Sequence, residues 1–134
     1  MRTLLCIGSL LVLSLTVYAL DEAAQYQQWM KAVGAACGGV KKGINASDPK
    51  VVADNAKQLQ ELFAKVQSYW TNNKCDDAVT SAKEATAAFN TTSELAVAGK
   101  WDEAAASFKK ATANCGNCHT GHREKAADGT FKIK

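Results

Sequence analysis

Residues 101–123, WDEAAASFKKATANCGNCHTGHR, read as one amphipathic helix that carries its own chemistry. Asp102 and Glu103 suit the first turn, where negative side chains meet the positive end of the helix dipole. Ala104, Phe108, Ala111, Cys115, Cys118 and His122 then recur at steps of three and four, on one face. Within that face, Cys115 to His119 is a Cys-x-x-Cys-His run. Two thiols at this spacing can add to the two vinyl groups of one haem, and the adjoining imidazole can bind the iron from one side. A zinc site, a thiol redox pair and cysteines of no special role use the same letters. Context decides between them.

Outward from this segment, three more stretches share its periodicity. In the first, Tyr26, Met30, Val33, Cys37, Val40 and Ile44 form a continuous inward stripe, with Gly43 and Asn45 able to end it. Ser47 or Asp48 can cap the next helix, with Pro49 in its first turn. There the stripe runs Val52, Leu59, Leu62, Val66, Tyr69, flanked by Phe63 and Trp70, until Asn72-Asn73 breaks it. The third runs Val79, Ala82, Ala85, Phe89, Thr92, Ala96 and stops at Gly99. Proline occurs once, and alanine, the best helix former, is abundant. Four helices of roughly 22 residues joined by short loops predict an all-α, antiparallel up-down-up-down four-helix bundle. No strand pattern appears, which argues against a thioredoxin-like role for Cys115 and Cys118.

The N-terminus supplies the compartment. Met1-Arg2-Thr3 is a short basic start, Leu4 to Tyr18 is almost unbroken apolar sequence, and Val17-Tyr18-Ala19 has the small residues that a signal peptidase reads. Residues 1–19 are therefore expected to be a secretory signal peptide, and residues 20–134 one bundle domain with no membrane anchor after cleavage. In a bacterium the destination is the periplasm, where haem is attached to such sequences. The whole chain carries 16 basic and 13 acidic residues; without Arg2 the balance is +2. So small and evenly spread a charge argues against a nucleic-acid partner.

Helix counting adds a prediction. With a rise of ~1.5 Å per residue from a helix start near Glu22, Met30 lies roughly 12 Å down the first helix. His119, climbing back along the fourth, comes to roughly 6 Å from the same end. A haem on the fourth helix would then face Met30 across the bundle.

At this point the chain resembles the class II c-type cytochromes, the family of cytochrome c′ and its low-spin relatives. The resemblance covers the whole mature chain. The run Cys115-Gly-Asn-Cys-His-Thr-Gly-His-Arg-Glu-Lys125 is similar to the family's haem sequence, with His122 standing where the family has an aromatic. Tyr26-Gln-Gln-Trp-Met-Lys-Ala-Val-Gly34 looks like the family's first-helix sequence, where a Met, Leu or Phe occupies the far side of the haem. The resemblance implies one covalent haem c, with thioethers from Cys115 and Cys118, His119 as the proximal iron ligand and Met30 on the distal side. It also puts Arg123 beside the proximal His or a propionate, consistent with a position one turn beyond His119 on the same helix face. His122, one turn beyond Cys118, cannot reach the opposite haem face.

Other residues set further expectations. A zinc site drawn from Cys115, Cys118 and His119 or His122, with Cys37 or Cys75 as the fourth ligand, is disfavoured because the chain has a full helical core without it. Cys37 and Cys75 depart from the family pattern. Cys37 reads as a small buried hydrophobe about 22 Å down the first helix, and Cys75 as an exposed residue at the opposite end, so no disulfide between them is expected.

Function then turns on the sixth iron position, which the residues leave open. If Met30 ligates, the protein is a low-spin electron carrier serving periplasmic redox partner proteins. With Met30 unligated it resembles a high-spin cytochrome c′, a binder of nitric oxide or carbon monoxide. An enzyme such as a peroxidase is not expected, since Val33, Gly34, Ala36 and Cys37 around Met30 offer no polar assistance. Homodimers are common in the family.

Overall fold

A computed structural model describes residues 7–134, with side chains from Glu22 onward. Repeats of three and four apolar positions produce α1 (Ile7–Asn45), α2 (Pro49–Asn72), α3 (Asp76–Val97) and α4 (Trp101–His122). The expected signal peptide, residues 1–19, lies outside the residues whose side chains are described. α1 runs without a break past Glu22, where the periodicity had suggested a start. Among the residues with described side chains, no helix is long and apolar enough to cross a membrane.

Short turns separate the helices, and each has a local cause. Asp48 is the cap of α2: its carboxylate accepts the Val51 N–H at 3.1 Å, and Pro49 fills a first-turn position whose N–H has no helical acceptor. Ser47 is not the cap and instead takes a φ of 51° within the turn. At the end of α3, Gly99 turns the chain with a φ of 72°, which glycine adopts without steric cost. Such turns leave consecutive helices antiparallel and packed on one another, giving an all-α four-helix bundle.

The core follows the stripes. Val40, Val52, Leu59, Phe89 and Thr92 are fully buried, and the Thr92 hydroxyl donates to the Ala88 carbonyl at 2.8 Å instead of going unpaired. Phe89 links the layers, with ring centroids 5.9 Å from Phe63 and 6.1 Å from Phe108. Small residues let α1 and α2 approach closely. Gly39 lies under the Asn55 side chain, and a Cβ on Gly43 would meet the Val52 backbone nitrogen at 2.9 Å. The second stripe is buried as expected at Val52, Leu59, Leu62 and Val66, and differs only at its end, where Trp70 is buried and Tyr69 half-buried.

Two departures lie beyond the helices. A small antiparallel hairpin, β1 (Arg123–Lys125) and β2 (Phe131–Ile133), follows α4 where no strand was expected. Arg123 is consequently not on the helix face of His119. It caps α4 in extended backbone, φ −126° and ψ 134°, and its guanidinium lies 4.0 Å from the centroid of the Phe131 ring. The second departure concerns ring closure. α1 and α4 approach each other closely at few points, unlike every consecutive pair, and the space between them is open.

Candidate functional site

That opening is an apolar cleft of about 710 Å³, within the ~300–1,000 Å³ typical of small-molecule and cofactor sites. Met30, Val33, Gly34 and Cys37 line it from α1, and Cys115, Cys118, His119 and His122 from α4. Phe63, Val66 and Trp70 of α2 and Ala82 and Ala85 of α3 form its floor. Arg123, Phe131 and Ile133 bring the hairpin to its edge. The small alanines of α3 matter here, since larger side chains would fill the space.

Helical spacing positions the donors. Cys115, Cys118 and His119 stand at i, i+3 and i+4 of α4, so all three emerge on one side, and all are half-buried. Met30 and Cys37 are half-buried on the facing wall, while Val33, between them on the same stripe, is buried. Cys37 is therefore not the closed-in core residue expected from its stripe. It faces the cleft.

Electrostatics separates the readings of the Cys-x-x-Cys pair. Burial pushes the Cys115 thiol up from its ordinary pKa. Cys118 is pushed up to about 11, by burial first and then by the negative charge of Asp77. Redox thiols work through a depressed pKa, the opposite of what these surroundings produce. On the facing wall, burial raises Cys37 to about 12. His119 is shifted down, by burial first and the Arg123 charge second, which favours a neutral imidazole with a free lone pair. All four cysteines with described side chains are free thiols; Cys37 faces the cleft and Cys75 meets His122 at the end of the bundle.

A zinc centre on the Cys-x-x-Cys-His run has little geometric basis. Among the described residues, the one group of three metal-ligating side chains close enough to share an ion is Cys75, Asp77 and His122. The donor set around the cleft suits a haem instead: two neutral thiols on one helix side, a neutral imidazole beside them, and apolar walls. Cys115 and Cys118 would hold the group, and His119 would bind its iron.

Periodicity did not reveal every lining residue. The helical period puts Trp70 beside its stripe, yet it forms the floor and donates its Nε1–H to the Tyr26 hydroxyl at 2.9 Å. Burial raises Tyr26 to about 12. Asn114, one position before the first cysteine, is a buried polar side chain on the cleft wall. Phe131 and Ile133 belong to strands of three residues, too short to show a period.

A scan against protein-family models and searches of curated proteins and of solved structures find no match to this chain.

Proposed function

We propose that this chain is a periplasmic mono-haem c-type cytochrome that acts in electron transfer. The observation that carries the reading is the convergence on one apolar cleft of Cys115, Cys118 and His119 from α4 and Met30 from α1. When bound, a haem supplies a one-electron iron couple whose potential depends on its axial ligands and on the polarity around it. The residues of the chain have distinct tasks. Cys115 and Cys118 anchor the cofactor as thioethers. His119 presents a neutral ring nitrogen, favoured by its depressed pKa. Val33, Phe63 and Val66 exclude water, and Met30 offers a thioether sulfur from the opposite wall. Sulfur ligation opposite a histidine tends to raise the potential, which suits a carrier.

The apolar lining also supports the second reading, a high-spin binder of nitric oxide or carbon monoxide in which Met30 packs without ligating. The absorption spectrum of the oxidised protein separates the two. A Met-to-iron charge-transfer band, lost with a change of spin state in Met30→Ala, is expected for the carrier. A high-spin spectrum indifferent to Met30→Ala replaces the carrier with the gas binder. Haem should stay with the chain through denaturation and be lost in Cys115→Ser/Cys118→Ser; a chain made with haem-attachment machinery that carries none overturns both readings.

A further inference from the structure

We infer that Cys75, Asp77 and His122 form a second metal site, at the rim of the cleft that His122 also lines and distinct from the residues that would hold the haem, that takes a borderline divalent cation of the Zn²⁺ class. Cys75 and Asp77 belong to the start of α3, and His122 is the last residue of α4, 47 positions from Cys75. The fold thus joins two residues that the haem reading leaves without a role: a cysteine foreign to the family pattern and a histidine where that pattern has an aromatic.

The distances are close to those of a coordination sphere. Cys75 Sγ lies 3.7 Å from Nδ1 and 3.9 Å from Nε2 of His122, and 3.5 Å from Oδ1 of Asp77. Tetrahedral zinc, with bonds of ~2.3 Å to sulfur and ~2.0–2.2 Å to nitrogen and oxygen, separates its donors by roughly 3.4–3.6 Å. One donor atom from each residue lies within 4.8 Å of the other two, so small side-chain rotations would bring the set to these spacings. The shortest contact, 2.7 Å between His122 Nε2 and Asp77 Oδ2, is a hydrogen bond that an ion using those two atoms would open by roughly 0.7 Å.

Donor type narrows the cation. One sulfur, one imidazole nitrogen and one carboxylate oxygen suit Zn²⁺, whereas Mg²⁺ and Ca²⁺ require oxygen shells. Three protein ligands leave a fourth position for water. On binding, the Cys75 thiol gives its proton to solvent and its sulfur bonds the ion as a thiolate. The imidazole is already held in place, because His122 packs on Trp70 with ring centroids 4.9 Å apart, and Trp70 is fixed by its hydrogen bond to Tyr26. A bound ion would tie the start of α3 to the end of α4 beside the cleft. The site does not depend on a haem being present.

Calorimetric titration of Zn²⁺ alone into the purified protein, carrying whatever cofactor it holds, tests the inference. One ion per chain is expected, with proton release visible as a dependence on buffer ionisation heat. Cys75→Ser, Asp77→Asn and His122→Gln should each weaken binding by ~10-fold or more, since even second-shell losses cost ~10–100-fold. Zn²⁺ should raise the thermal midpoint of the wild type and leave that of Cys75→Ser, which keeps the size of the helix cap, unmoved. Absence of saturable binding overturns the inference, as does equal affinity in wild type and Cys75→Ser. Binding that survives Cys75→Ser but is lost in Cys118→Ser also overturns it, because the ion would then be on the Cys-x-x-Cys pair.

Discussion

Tyr26 and Trp70 stand 44 residues apart, and both are almost fully buried with a polar atom each. Burial of such an atom is tolerable only with a partner, which each supplies to the other. Tyr26→Phe leaves the Trp70 N–H without its acceptor and should cost about 1–3 kcal/mol, measured as a lower urea midpoint. An unchanged midpoint would mean that another acceptor serves Trp70. Tyr26 was legible as an inward position because it opens the first stripe. Its partner was not, since a helical period reports the face of a residue and not the atom its indole reaches. Cys75 and His122 illustrate the same limit. Counting along the helices put Cys75 and the end of the fourth helix at one end of the bundle, yet only rotation about each helix axis brings sulfur and ring together.

Within α1, two glycines predict effects of opposite sign. Gly43 sits against α2, where a Cβ would lie 2.8 Å from a Val52 side-chain carbon and 2.9 Å from its backbone nitrogen. The backbone cannot move aside cheaply, so Gly43→Ala should destabilise by about 1–3 kcal/mol. Gly34 lines the cleft, and a Cβ there meets nothing within 4 Å. In the chain without haem, Gly34→Ala should therefore add roughly 0.5–1 kcal/mol of helix stability. Chemical denaturation of the two variants checks both, and equal shifts would contradict the α1–α2 packing. From the sequence, Gly43 reads as a helix end, since glycine serves both as terminator and as contact residue. The hairpin was illegible for another reason. Arg123 continues the α4 spacing in the sequence, but its pairing across to β2 is decided by contact with residues 131–133.

For the molecule as a whole, the hairpin closes one side of the cleft, and its turn depends on Asp128. That carboxylate accepts from the Thr130 N–H at 2.9 Å and hydroxyl at 2.7 Å, and these bonds hold its pKa below the ordinary ~3.9. A depressed carboxylate contributes stability that is fully present above its unfolded pKa and is lost as pH falls through the folded one. The hairpin should loosen below about pH 4, seen as faster exchange of the Ala126 amide that bonds the Thr130 carbonyl. Asp128→Ala should remove this acid step, and an unaltered step would assign it to another group.

The chemistry-bearing run Cys115 to His119, the four helices and most of their inward faces were determined by the sequence alone, because helix period and turn residues act over a few neighbouring positions. Tertiary structure decided what those faces meet. α1 and α4 stand apart while consecutive helices close up, so one apolar face becomes core at Val40 and cleft wall at Met30 and Cys37. The physical reason is range: a stripe records that a residue turns inward, whereas the space it finds there depends on side chains from the other helices, such as the alanines of α3 beneath the cleft.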